Sequence, residues 1–333
     1  MYEPLSSKLG QAEVANLLGI DDKLLVGVCN EQRLSLASSP AQSGFRVFAL
    51  LFFTTETIPG VQLIEGTNSE PSFIGGSICA ERAALCKLRM FSNPRILKIV
   101  VTTDAKHVAI SPGLLCREYL MAFCAPDTPV VMGDALGEDA AIMSCSISEL
   151  YPHPFLYRGK SRLELVSAGR AQAERIAATA AAKGGRTDWG EEGARLHAHA
   201  LTFCERDAVD IHPLKFAAAV IFDDDSVQVA WMLKGLEYGC SLDPVSQLVR
   251  DMLKKRPRLL VMVDQFGVAH APFAQARALL SEHGLGTHPR ILVHSHEGKQ
   301  LLSCAADLAP PPPGSSGSAR LLVPSDLGCG GAA

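Results

Sequence analysis

The sequence lacks the features that would direct it to nucleic acid or into a membrane. Its 333 residues contain 31 Lys and Arg against 35 Asp and Glu, so the net charge is −4 and no overall basic excess is present. The longest apolar run near the start, residues 47–53, is far shorter than the roughly 20 residues that cross a bilayer. We therefore expect no membrane span, and the charge balance argues against nucleic acid as a partner.

The N-terminal region also lacks the pattern of a secretory signal. Acidic residues occur early, and no basic stretch is followed by a long apolar one. The ten cysteines show no compact spacing of the kind found in disulfide-rich domains. These features predict reduced thiols and a cytoplasmic location.

Short β-rich runs alternate with helical patterns and predict an α/β layered sheet. Strands are expected at 45–54, 60–66, 96–103 and 129–134, with helices at 12–18, 24–38, 80–90 and 113–124. The alternation returns in the second half, with strands at 215–222, 226–233, 258–264 and 290–295. We therefore predict a first domain at 1–160, a helical linker at 161–189, a second domain at 190–309 and a Pro/Gly/Ser-rich tail at 310–333.

The two halves match each other residue by residue over one stretch. Residues 101–117 align with 261–277 at an offset of 160, and this alignment pairs Asp104 with Asp264, Pro112 with Pro272 and Arg117 with Arg277. Cys79 falls near Cys240 at an offset of 161, which puts Leu242 opposite Glu81. The match predicts two copies of one module.

Cys79 and Cys116 are both predicted at helix N-termini. Two glycines come shortly before Cys79, and Pro112, a residue favoured in the first turn, precedes Cys116. The partial positive charge of a helix N-terminus favours thiolate over thiol. Two thiolates form half of a tetrahedral zinc site. Glu81 would lie beside the metal and could move a proton between a zinc-bound water and a substrate ring.

The blocks CAERAAL (79–85) and SPGLLCRE (111–118) resemble the cytidine deaminase family, whose pattern is Cys-Ala-Glu followed by Pro-Cys-x-x-Cys-Arg. The blocks GFRVFA (44–49), GTNSE (66–70) and YPHPF (151–155) resemble further family segments, in family order. The resemblance implies a three-layer α/β/α fold with a mixed central sheet. That fold would be duplicated in one chain, as in the longer two-domain members.

The resemblance also implies roles for individual residues. Cys79 and Cys116 would bind Zn²⁺, and Glu81 would be the proton shuttle. The implied substrate-binding residues are Phe45, which stacks on the base; Asn68 and Glu70, which hold the ribose; Ala80, whose backbone contacts the base; and Phe155, which reaches a neighbouring active site.

One zinc-ligand position departs from the family pattern, because Gly113 stands where the first cysteine of Pro-Cys-x-x-Cys belongs. Cys86 and Cys124 cannot replace it, since they lie roughly 10 and 12 Å along their helices from the two thiols. His107, Cys29 or a water molecule remain as candidates for the third ligand. Phe48, Leu114 and Glu118 also depart from the family pattern.

The second copy has no equivalent site. Leu242, Phe273 and Ala276 stand at the positions of Glu81, Gly113 and Cys116 in this alignment. His197 and His199 are two apart on a predicted helix and point to different faces, so they predict no metal site.

These features predict a homodimeric, zinc-dependent deaminase that converts cytidine and deoxycytidine to uridine and deoxyuridine in pyrimidine salvage. Because of Gly113, the alternative is an inactive nucleoside-binding or scaffold homologue. Deamination of RNA or DNA is a weaker third possibility, because the charge balance is acidic.

Overall fold

The computed structural model describes residues 2–36, 38–133, 141–208 and 210–312. The chain divides into two compact units, with the division between Leu150 and Tyr151. The second unit extends to Pro310. The predicted tail lies outside the described residues from position 313 onward. None of the described helices has the length and apolar content needed to cross a membrane.

The first unit is built around a five-stranded mixed sheet. Its helices are α1 (Leu5–Lys8), α2 (Gln11–Gly19), α3 (Asp22–Ser35), α4 (Ala80–Leu88), α5 (Leu114–Phe123) and α6 (Ile147–Leu150). Its strands are β1 (Val47–Thr54), β2 (Gln62–Thr67), β3 (Arg95–Thr103), β4 (Pro129–Gly133) and β5 (Ile142–Ser146). The strand order is β2-β1-β3-β4-β5, in which only the β3–β4 pair is parallel.

The alternating side chains of β1 fill a core on each face of this sheet. Phe48, Leu50 and Phe52 pack in one core cluster with Leu25 and Cys29 of α3. The intervening residues of β1 are fully buried on the other face, and α4 packs over β1 and β2 with α5 beside it. The unit is therefore the three-layer α/β/α arrangement with a mixed central sheet that the sequence predicts.

The second unit has a sheet of the same order and strand directions. Its helices are α7 (Leu165–Ala182), α8 (Gly190–Thr202), α9 (Pro244–Met252), α10 (Ala274–Glu282) and α11 (Ala305–Leu308). Its strands are β6 (Phe216–Phe222), β7 (Val227–Trp231), β8 (Pro257–Asp264), β9 (Ala269–His270), β10 (Arg290–His294) and β11 (Gln300–Ser303). The main path is β7-β6-β8-β10-β11, with only β8–β10 parallel, and β9 pairs with β8.

The segment predicted as a linker is helical from Leu165 to Ala182, and α7 packs within the second unit. The Gln172 side-chain amide donates a hydrogen bond of 3.0 Å to the carbonyl of Ser295. Gly169 lies so close to Phe266 that an added Cβ would be 2.3 Å from its ring. This packing is why the predicted linker belongs to the second unit. Residues 151–160 also belong to that unit, held by contacts such as the hydrogen bond of 2.6 Å from the Tyr157 hydroxyl to Asp264, so the boundary lies at 150 and not at 160.

The strand register corrects two pairings of the predicted repeat. The backbone bridge between Ser69 and Ile78 in the first unit corresponds to the bridge between Leu233 and Leu242 in the second, an offset of 164. Cys79 therefore corresponds to Asp243, the N-cap of α9, and not to Cys240. Glu81 corresponds to Val245 and not to Leu242.

The second correction concerns Asp264, which corresponds to Thr103 and not to Asp104. Val47 pairs with Thr103 in the first sheet, and Phe216 pairs with Asp264 in the second. The loops differ in length between the units, so one constant offset cannot hold along the chain. The matched hydrogen bonds from Arg117 to Pro112 and from Arg277 to Pro272 retain the offset of 160.

Candidate metal centre and substrate cavity

Two helix N-termini in the first unit carry the predicted metal ligands. Cys79 is the N-cap of α4, and Cys116 lies in the first turn of α5, whose N-cap is Gly113. Gly66 of β2 lets α4 approach closely, since an added Cβ would lie 2.1 Å from the carbonyl oxygen of Ala80. The predicted placement of both cysteines at helix N-termini is confirmed.

The Cys79 Sγ, the Cys116 Sγ and a carboxylate oxygen of Glu81 all lie within 4.8 Å of one another. Within the described parts of the chain, this is the one group of three or more side chains that could hold a metal ion. Glu81 and Cys116 are buried, and Cys79 is half-buried. The structure thus brings Cys116 of α5 next to Cys79 and Glu81, which lie together at the start of α4.

The Cys79 and Cys116 side chains are hydrogen-bonded to each other. This hydrogen bond lowers the pKa of Cys79 to about 6, and the nearby Arg82 lowers it further. The Arg82 Nη2 lies 3.7 Å from the Cys79 Sγ. The same hydrogen bond, together with burial, raises the pKa of Cys116. Cys79 is therefore the thiolate of the pair at neutral pH.

Burial has the largest effect on Glu81, and the charge of Cys79 adds to it. Together they raise the pKa of Glu81 to about 7. A carboxyl group with such a pKa holds a proton part of the time at neutral pH. It can therefore both accept and donate a proton, as a general acid–base group requires.

The third protein ligand predicted by the family pattern is missing from this cluster. Cys29 is fully buried in the core cluster on the α3 side of the sheet, and His107 is exposed in a turn with a φ of 60°. Neither belongs to a metal-binding group among the described residues. The donor set therefore fits half of a tetrahedral zinc site, with two sulfurs in place.

The third position faces a cavity of about 230 Å³, and Gly113 is part of the cavity wall. A Cβ added to Gly113 would meet no atom within 4 Å. The cavity is lined by Phe45, Val47, Asn68, Glu70, Ser77, Ile78, Cys79, Glu81, Val101, Thr103, Ile110, Ser111 and Gly113. It combines an apolar wall with a few polar groups, as small-molecule sites do.

Asn68 and Glu70 are held by hydrogen bonds at one edge of this cavity. The Asn68 Oδ1 accepts from the backbone amide of Val47 at 2.9 Å, and its Nδ2 donates to the carbonyl of Phe45 at 2.8 Å. Ser43 donates to both carboxylate oxygens of Glu70, from its amide at 2.7 Å and its hydroxyl at 2.8 Å. Asn68 and Ser43 thereby fix the orientation of Glu70.

Two predicted substrate-binding residues do not line the cavity. Ala80 is fully buried at the first turn of α4, and Phe155 packs in the second unit. The Phe155 ring contacts His270 at a centroid distance of 5.3 Å and Phe273 at 6.0 Å. Phe155 occupies a hydrophobic cluster of that unit, and the roles of both residues in substrate binding stay predictions.

Sequence reasoning missed Arg82 and Ser43. A signal existed for Arg82, because a residue three positions after the helix N-cap can turn back toward it. Ser43 carried no such signal, since its contact with Glu70 depends on how two loops pack.

The fold and the site together describe an α/β protein with two cysteines and a glutamate at facing helix N-termini. No family model matches the chain. The chain is 32% identical over 113 residues to a cytidine deaminase of Halalkalibacterium halodurans, an overlap of 34% of this chain and 79% of that protein. The chain therefore belongs to the cytidine deaminase family.

Solved cytidine deaminase structures also overlap part of the chain. The enzyme from Burkholderia pseudomallei is 24% identical with a TM-score of 0.33, and the overlap covers 41% of this chain and all of that one. The enzyme from Mycobacterium tuberculosis is 23% identical with a TM-score of 0.31, and the overlap covers 39% and 99% of the two chains.

Proposed function

We propose that the protein is a zinc-dependent deaminase that hydrolyses cytidine and deoxycytidine to uridine and deoxyuridine, with release of ammonia, in pyrimidine salvage. The observation that carries the proposal is the cluster of Cys79, Glu81 and Cys116, whose ligand atoms lie within 4.8 Å of one another and of which Cys79 and Glu81 line one cavity. Cys79 and Cys116 would hold the metal. When bound, zinc would supply Lewis-acid activation of a water molecule.

Glu81 would carry the proton transfers of the reaction. Its carboxyl group faces the cavity and has a pKa of about 7. It would protonate N3 of the ring and later the leaving amine, so that one water is consumed and one ammonia released for each uridine formed. Phe45, Val47 and Ile78 would form the apolar wall against the base.

The polar edge of the cavity would recognise the sugar. Both N–H donors of Asn68 are used, toward the Phe45 carbonyl and the Glu70 Oε1. Within the described part of the chain, the Glu70 Oε2 accepts one hydrogen bond, from the Ser43 amide, and it has a lone pair to spare. The groups at this edge that can still form hydrogen bonds are acceptors, and the hydroxyl groups of a ribose can donate to them.

The test is zinc content per chain followed by the loss of cytidine absorbance. We expect zinc in the purified protein and turnover that Glu81→Gln abolishes, since the amide cannot exchange the proton. Protein without zinc, or turnover that survives in Glu81→Gln, would refute the proposal.

One observation favours a second function. Gly113 removes a thiolate from the metal site, which would weaken zinc binding. In that case the protein would bind nucleosides without converting them, as a scaffold homologue. Cytidine binding by calorimetry without uridine formation, at saturating zinc, would support this alternative.

The second unit would be a degenerate copy of the first. Asp243, Val245 and Ala276 replace Cys79, Glu81 and Cys116 at the matched positions. We propose that the protein is a cytoplasmic homodimer acting on small nucleosides and not on nucleic acid. Sedimentation equilibrium should give twice the chain mass.

A further inference from the structure

The wall of the substrate cavity contains a hydroxyl group that neither the proton transfers nor the sugar contacts use. Thr103 lines the cavity and is buried, and its side chain lies on the same face of the sheet as that of Val101. The Thr103 Oγ1 accepts a hydrogen bond of 3.2 Å from the Ala105 amide. Within the part of the chain that the structure describes, the proton of this hydroxyl has no acceptor. A buried donor without a partner is unfavourable, and a ligand in the cavity can satisfy it.

The second unit shows what a side chain at this position reaches. Asp264 corresponds to Thr103, and it accepts a hydrogen bond of 2.9 Å from the amide two residues later, that of Phe266, as Thr103 does from Ala105. The other carboxylate oxygen of Asp264 accepts a hydrogen bond of 2.6 Å from the Tyr157 hydroxyl. The side chain at this position thus has a second contact, which in the second unit is made to an aromatic ring carrying a hydroxyl.

Tyr157 belongs to a segment that fills the matched space in the second unit. Phe155 of this segment contacts Phe216 at a centroid distance of 6.3 Å and Phe273 at 6.0 Å. Both contacted residues correspond, by strand register and by the matched arginine contacts, to wall residues of the cavity in the first unit. A side chain at the Thr103 position is therefore placed to form a hydrogen bond with the occupant of this space.

Thr103 lies on the other side of β1 from the residues proposed to hold the sugar. Asn68 follows β2 and accepts from the amide of Val47, whereas Thr103 in β3 pairs with Val47 from the opposite side. Two strand spacings, about 9.5 Å, separate β2 from β3. A nucleoside whose sugar is held by Asn68 and Glu70 therefore presents its base to Thr103. Of the acceptors on cytosine, N3 takes the proton of Glu81, which leaves the carbonyl oxygen O2.

We infer that the Thr103 hydroxyl donates a hydrogen bond to the carbonyl oxygen O2 of the pyrimidine, and that Thr103 is a specificity-determining residue for bases with an acceptor at this position. The inference deepens the proposed function, on which its substrate class of pyrimidine nucleosides rests. It adds no covalent step.

Calorimetric titration with cytidine and 2-thiocytidine tests this contact in the Glu81→Gln background, where no turnover is expected. 2-Thiocytidine carries sulfur, a weak acceptor, in place of O2. Thr103→Val removes the hydroxyl, so it should weaken cytidine binding about tenfold, while the affinity for 2-thiocytidine should change by less than about threefold. Thr103→Ser keeps the hydroxyl and should bind cytidine as tightly as the parent protein.

Thr102→Val is the matched control. Thr102 is buried beside Thr103 in β3, but its side chain points to the opposite face of the sheet, the face on which Val100 packs in the core cluster with α3. The Thr102 hydroxyl therefore cannot reach the cavity. Its removal should leave the affinities for both nucleosides unchanged.

The outcomes separate this inference from the proposed function. Unchanged cytidine affinity in Thr103→Val, or an equal loss for cytidine and 2-thiocytidine, would overturn the contact with O2 and leave the deaminase proposal standing. Cytidine binding without uridine formation by the chain with Glu81 intact would refute deamination, while the titrations would still decide the role of Thr103. If the parent protein binds neither nucleoside, both the inference and the proposed substrate class are wrong.

Discussion

Restoring a cysteine at position 113 should strengthen metal binding strongly. Gly113 has a φ of −62° and a ψ of 160°, an extended conformation that any residue adopts, and a Cβ there meets no atom within 4 Å. The substitution Gly113→Cys should therefore fold without strain. As the N-cap of α5, the new residue should cost the apo protein at most about 1 kcal/mol.

The size of the gain follows from what one thiolate contributes. Apparent binding free energies of structural zinc sites are about 10–16 kcal/mol for four ligands, or roughly 2.5–4 kcal/mol for each. Because about 1.4 kcal/mol corresponds to a factor of ten, we expect the zinc dissociation constant of Gly113→Cys to fall roughly 10²- to 10³-fold.

The assay is competition for zinc with a chromophoric chelator at pH 7.5, with Gly113→Ala as the matched control. Gly113→Ala should keep the wild-type affinity within about threefold, since a methyl group donates nothing to the metal. Equal affinities of wild type and Gly113→Cys would refute the reasoning, because they would mean that position 113 does not face the metal.

Three further perturbations test other parts of the structure. Ser43→Ala removes the hydroxyl that donates to Glu70 at 2.8 Å, so the KM for cytidine should rise about fivefold, a loss of about 1 kcal/mol, with kcat little changed in steady-state assays. Gly66→Ala forces a Cβ to 2.1 Å from the Ala80 carbonyl oxygen, so it should displace α4. Denaturant titration should show a free energy of unfolding lower by about 1–3 kcal/mol, and chelator competition should show weaker zinc binding. Burial lowers the pKa of His294 to about 3, whereas an unfolded histidine has a pKa of about 6.5, so the unfolded chain takes up the proton first as the pH falls. The free energy of unfolding of the second unit should therefore be constant above about pH 6.5. Below that pH it should fall by at most about 1.4 kcal/mol per pH unit.

The serine and glycine substitutions each have a matched control variant. Ser35→Ala removes an exposed hydroxyl and should leave KM unchanged. Gly27→Ala adds a methyl group in α3 where no atom lies within 4 Å, so it should not destabilise the protein. An equal KM in both serine variants, or equal stability of both glycine variants, would contradict the corresponding contact.

The pH effect has its own readout and control. The two tryptophans of the chain, Trp189 and Trp231, lie in the second unit, so their fluorescence follows its unfolding. His197 and His270 lower the pKa of His294 further, and Asp264 opposes them. His294→Asn keeps an acceptor for the Ala269 amide and should flatten the loss of stability at acid pH. An unchanged slope in this variant would assign the pH dependence to other groups.

The regular elements with strong patterns were predictable from the sequence. The strands β1 and β3 are buried apolar runs, and α4 and α5 begin after Gly and Pro signals that place Cys79 and Cys116 at helix N-termini. Short elements such as β5 and α11 have too few residues to display a hydrophobic periodicity, so the sequence does not predict them.

Features that depend on packing between distant segments could not be predicted. The patterning of α7 predicts a helix, but its role as part of the second unit depends on Gly169 fitting against Phe266. The exclusion of Cys29 from the metal site likewise depends on the face of the sheet that it reaches, and that of His107 on the exposed turn that holds it. Spacing along the chain contains no information on that choice.

The claim that two cysteines and a glutamate form one metal centre is tested most directly by a crystal structure of the zinc-loaded protein with anomalous data at the zinc edge. We expect one strong peak in the first unit about 2.3 Å from both the Cys79 Sγ and the Cys116 Sγ, with the Glu81 carboxyl group beside it. A zinc peak bound elsewhere, or none at full zinc saturation, would contradict it.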